Sequence, residues 1–206
     1  MAQSSDDHAI HQLLRRGRLL ELITLSWNVV GVVVLAYAAT IARSVALAGF
    51  GLDSLIEIGA STVVLWELAD VALTRQRSAM KMIGSAFVAL SIYLAIQSTV
   101  VLVTGFRPHH SAIGMVWTAI TALTMFGLAS GKARTGSKLG NPVLQAEGRI
   151  TMVDGILATA VLIGLILNSF AGWWWADPVA GYVLLFYALR EARASLEHCT
   201  IVVKGP

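Results

Sequence analysis

An all-α integral membrane protein, built as a six-helix transmembrane bundle, is the fold class this sequence predicts. Three observations predict it. The 206 residues are 56% hydrophobic and only 13% charged, whereas soluble domains carry about 25% charged residues, and the mean hydropathy is +0.72. The apolar residues fall in runs that match the roughly 20 residues a helix needs to cross a bilayer. The basic residues, finally, gather in alternate connections between those runs.

The first span is expected over 19–42, around the apolar run Leu22 to Ala42. A tight junction at Ala42-Arg43 leads to the second, 44–68, which is uncharged from Ser44 to Trp66 apart from Asp53 and Glu57. RQRSAMK, 75–81, reads as a basic link to the third span, 82–105. GFRPHHS, 105–111, reads as a loop before the fourth, 111–131. GKARTGSKLGNP, 131–142, reads as a flexible basic linker closed by an Asn-Pro breaker. The fifth span, 145–169, has Asp154 as the only charge beyond Ile150. The sixth, 178–198, has the shortest apolar run and opens at Asp177-Pro178, which reads as an N-cap followed by proline at the first helical position. Residues 1–206 are thus expected to form a single transmembrane domain.

The polar start MAQSSDDHAIHQLL has none of the features of a secretory leader. Cys199 is the only cysteine, which excludes an intramolecular disulfide and leaves an inert thiol. Lys and Arg stand at 15, 16 and 18, at 75, 77 and 81, at 132, 134, 138 and 149, and at 190, 193 and 204, leaving only Arg43 and Arg107 in the other connections. This asymmetry predicts a cell-membrane protein with an even number of spans and both termini in the cytoplasm. The charge runs then report topology, and no nucleic-acid partner is expected. Trp173, Trp174 and Trp175 would lie at the outer interface, where amphipathic rings are favoured.

The informative residues are the acids inside apolar runs. Asp53 and Glu57 are four residues apart and share one helical face. A charge at the bilayer centre costs about 2.5–3.5 kcal/mol on insertion scales, so intramembrane acids point to ion or proton handling. Two close carboxylates repel, and a proton or a divalent cation relieves that repulsion. Asp154, from the fifth helix, lies at a depth where it can join them. Glu147 sits two turns before Asp154 on the same face, towards the cytoplasmic mouth. Glu21, Glu67 and Asp70 read as solvated interface acids. Asn28 reads as an interhelical hydrogen-bond partner, His109 and His110 as solvent-exposed loop residues with a metal pair as the alternative, and Gly127-x-x-x-Gly131 as a weak packing motif. GFGLDSLIE (49–57) also echoes AEGRITMVD (146–154), pairing Gly51 with Gly148, Ser54 with Thr151 and Glu57 with Asp154, a hint of the repeated architecture found in many transporters.

SVALAGFGLDSLIEIGAS resembles the second helix of the cation diffusion facilitator family. QAEGRITMVDGILATAVLIGLILN resembles its fifth, and WWWADPVAGYVLLFYALREA the opening of its sixth. The resemblance implies a homodimeric antiporter that exports a divalent metal, most often zinc, in exchange for protons. It implies no enzymatic activity and no prosthetic group. Its metal site would fall on Asp53, Glu57 and Asp154, with Glu147 close by. The family's site pairs two acids on helix two with a His-x-x-x-Asp on helix five, and its histidine position holds Ile150 here. An all-oxygen site discriminates less against harder or larger cations than a mixed nitrogen and oxygen one. The sequence ends at Pro206 without the family's cytoplasmic domain, so a dimer is expected through membrane helices or the short tail. The alternative expectation is a membrane scaffold or regulatory subunit that keeps the fold without transport.

Overall fold

A computed structural model of the chain is all-helical. It describes residues 2–67, 73–140 and 142–201, with side chains described for 11–59, 61–62, 84–140, 144–145 and 147–194. Six helices follow one another: α1 Ala2–Ala42, α2 Val45–Glu67, α3 Leu73–Thr104, α4 Ala112–Leu139, α5 Pro142–Ala171 and α6 Ala176–Ile201. No strand is present among the described residues.

The helices are longer than the apolar runs. α1 carries the polar start of the chain, and α3 begins early enough to contain the basic link 75–81. The stretch 131–142 is not a flexible linker. α4 continues through it to Leu139, and Gly140 closes the helix in the left-handed region at φ 60°, donating its N–H to Gly136 and Ser137 carbonyls. Hydropathy marks where lipid would contact a helix, not where the helix stops. Lys, Arg and Ala are all good helix formers, so a basic stretch can prolong a helix beyond the hydrocarbon.

Neighbouring helices close a ring in the order α1, α4, α5, α6, α3, α2. α2 also packs across the ring against α5 and α6, which draws it inward. One end of the bundle gathers the Ala42–Ser44 junction, loop 105–111 and the turn before α6. There His109 N–H donates to the Ala42 carbonyl at 2.8 Å, and Asn168 Nδ2 donates to the Pro108 carbonyl at 3.1 Å. Trp173 and Trp175 stack at this same end, which is called the tryptophan end below. The α4–α5 turn lies at the other end, the basic end.

The tryptophan end also corrects the expected cap of the sixth helix. Asp177 does not cap its own helix, which already begins at Ala176. Its buried carboxylate caps α2 instead, accepting from the Val45 amide at 3.0 Å and from the Ser44 hydroxyl. Ser44 Oγ in turn accepts from Leu47 N–H at 3.1 Å. Amides that α2 leaves unsatisfied at its start thus find acceptors in Ser44 and in the last helix.

The bundle is apolar outside, and its interior combines an apolar core around Leu35, Phe50, Leu94 and Val161 with a set of buried polar and charged side chains. Val103 and Phe170 are 81% and 82% exposed, while Glu21, Asn28, Glu57, Lys132, Glu147 and Asp154 are buried. α4 and α5 approach closely because Gly148 has no side chain: a Cβ there would sit 3.0 Å from the Ala133 nitrogen and 3.2 Å from the Ala129 oxygen. The Gly127-x-x-x-Gly131 motif is not that contact, since nothing lies near Gly127 and Gly131 meets only the Leu20 side chain.

Candidate functional site

The centre of the bundle holds the acids of α2 and α5. Glu57 is buried and Asp53 half-buried on the face of α2 turned towards its neighbours. Asn28 of α1 donates Nδ2–H to Glu57 Oε2 at 2.9 Å, the interhelical hydrogen bond expected of it. Asp154 is 4% exposed, and neither of its carboxylate oxygens has a hydrogen-bond partner. Glu57 Oε1 is equally without one. A buried polar group left unpaired costs about 1–3 kcal/mol, more when it is charged. The acids also act on one another through space. Asp154 feels Glu57 and Asp53, and Glu57 feels Asp53 and Glu147.

The inner face of α5 carries Glu147, Thr151, Asp154 and Ala158, all buried. Ile150 is 40% exposed and lies off that face. The sequence echo marks the same geometry. Gly51 and Gly148, Ser54 and Thr151, and Glu57 and Asp154 are all buried, and the two hydroxyls donate to the carbonyls four residues before them, Phe50 and Glu147. Asp53 and Ile150, where the echo fails, are the positions that turn partly away.

Towards the basic end stands a charged group that the pattern of the sequence does not show. Lys132 of α4 is 0% exposed. Its Nζ donates to Glu21 Oε2 of α1 at 3.0 Å and to Thr151 Oγ1 at 3.1 Å, and lies 3.5 Å from Glu147 Oε1. Glu21 is therefore not a solvated interface acid, and Lys132 is not a linker charge. Glu21 stands alone among leucines in LLELITL, and Lys132 follows directly on an apolar run; those were the available signals. Glu191 of α6 is a further acid that acts on Asp53.

The remaining candidates fall outside the cluster. His109 and His110 are exposed in their loop. The side chains of Cys199, Glu67 and Asp70 lie outside the described residues. Among the described residues, no three His, Cys, Asp or Glu side chains converge as a ready metal site. The four acids Asp53, Glu57, Asp154 and Glu147 share one region without closing on a point.

An all-helical bundle with an apolar exterior and a charged interior is the architecture of a membrane protein. Four helical segments among the described residues, His11–Ala42, Gly84–Thr104, Ala112–Leu139 and Glu147–Ala171, are long and apolar enough to span one. The described part of α6 carries Asp177, Arg190, Glu191 and Arg193 and is less apolar. No protein-family model matches the chain, and no curated protein matches it.

Proposed function

We propose that the chain is a six-span transporter of the cation diffusion facilitator type that exchanges a divalent cation, zinc or a similar transition metal, for protons across a cell membrane. Both termini would face the cytoplasm, and two copies would pair through membrane helices. One observation carries this reading. Among the described residues, four carboxylates on α1, α2 and α5, Glu21, Glu57, Glu147 and Asp154, are buried together with a single ammonium, Lys132, and Asp53 stands half-buried beside them. In an apolar bundle that surplus calls for positive charge from outside the chain. Protons and a dication are the two forms that acids of this kind accept, and each excludes the other. Alternate occupancy then couples metal movement to proton movement in the opposite direction, and the protons belong to the cluster rather than to single acids. Glu147, nearest the basic end, would meet the cation first; Asp53, Glu57 and Asp154 would hold it.

The test is flux in proteoliposomes. Asp154→Asn and Asp53→Asn are expected each to lower zinc- or cadmium-driven proton movement at least tenfold. Unchanged flux and unchanged proton dependence in both would rule the site out. A second reading, a scaffold that keeps the fold without transport, is favoured by the absence of three converging ligands among the described residues. It predicts no saturable cadmium binding to the purified protein.

A further inference from the structure

Lys132 is the one fully buried base among the described residues, and its three contacts are unequal. Glu21 and Thr151 each accept a hydrogen bond from it, at 3.0 and 3.1 Å. Glu147 makes only an ionic contact at 3.5 Å, and its Oε1 has no hydrogen-bond partner. Glu147 is thus the loosely held member. It precedes Asp154 by two turns on one buried face of α5 and acts on Glu57 across the bundle. Lys132 itself acts on both Glu57 and Asp154.

An ammonium carried on α4 cannot diffuse away. It occupies the place of a cation beside Glu147 without ever being transported. A dication arriving at the acids would draw Glu147 from the weakest of the three contacts, while Lys132 kept its bonds to Glu21 and Thr151. We propose that Lys132 is a tethered competitor cation that sets the affinity of the acids for a divalent ion by contesting Glu147, with Glu21 and Thr151 holding it back. The inference rests on the reading of these acids as a cation site. Lys132 is an affinity-setting residue in this scheme and does not touch the transported ion.

The competition predicts effects of opposite sign. Glu21→Gln removes the strongest partner of Lys132 and turns the ammonium fully onto Glu147, so cation binding weakens. Thr151→Val acts in the same direction with no change of charge. Glu21→Gln combined with Lys132→Met removes one charge of each sign and frees Glu147, so binding tightens. Isothermal titration of Cd²⁺ into the purified full-length protein reads these effects, with thermal unfolding recorded for every variant. The expected result is binding weaker by roughly tenfold in Glu21→Gln and Thr151→Val, and tighter than wild type by a similar factor in the double variant, as befits one unit charge moved at close range. A purely structural role predicts that all three variants bind like wild type or lose affinity together with stability, and either pattern overturns the proposal. The Thr151→Val arm decides alone if the double variant does not fold, because unchanged affinity there also overturns it. Wild-type protein without Cd²⁺ binding that Asp154→Asn abolishes would remove the underlying site reading, and this inference with it.

Discussion

Asn28 shows how much a single amide can settle in an apolar bundle. It donates to Glu57 from the facing helix and satisfies one of two carboxylate oxygens, leaving the other open. Asn28→Leu removes that donor at nearly constant volume. Interhelical hydrogen bonds in membranes are worth about 0.6 kcal/mol on average and up to about 1.7. The variant is expected to lose stability within that range in detergent unfolding and to change cation affinity, because Glu57 loses its anchor. At this scale the sequence was legible where a charge interrupts an otherwise uniform run. Asp53, Glu57 and Asp154 stand out for that reason; Glu57 and Asp154 are buried inside the bundle and Asp53 is half-buried. Glu21 and Lys132 did not stand out. Each lies where an apolar run meets a basic stretch, and the apolar neighbours that mark it do not separate an interface side chain from one covered by two other helices.

At the scale of elements, six helices and the sharp turn between the first two follow from the apolar runs and their breaks. Arg43 adopts a left-handed φ of 50° at that turn, and Ser44 starts α2 from it. What hydropathy could not fix was the extent of α3 and α4 beyond the spans. Nor could it place the contact between α4 and α5, which depends on which glycine faces which backbone. Gly148 against Ala129 and Ala133 is that place. Gly148→Val would force the two helices apart, and overpacking of this kind costs about 1–3 kcal/mol. Because Lys132 and Glu147 flank the contact, the variant is expected to lose cadmium binding along with stability; both are read on the same purified sample.

For the whole molecule, an apolar surface around buried charge is the governing feature. Large apolar side chains on every side demand a lipid surround, and the polar interior supplies what lipid cannot. The proposed six-span arrangement carries a direct expectation about sidedness. With Cys199 replaced by serine, single cysteines at His109 and at Lys138 should react with an impermeant maleimide from opposite faces of intact cells, position 109 from outside. Labelling of both from one face would show an even number of crossings between them and overturn that arrangement. The two ends of the bundle differ in composition, with Trp173 to Trp175 and two arginines on one and most of the basic residues on the other, and the expected sidedness rests on that difference.

The carboxylate of Asp177 has a bearing on how this protein is made. The amide of Val45 waits for an acceptor 132 positions further along the chain. At about 5–20 residues per second, a ribosome needs roughly 7–26 s to supply it. Throughout that interval the leading turn of the second helix stays incomplete, so newborn chains are vulnerable until the final segment arrives and fastens the fold. A chain interrupted before Asp177 would therefore be an early target for membrane proteases.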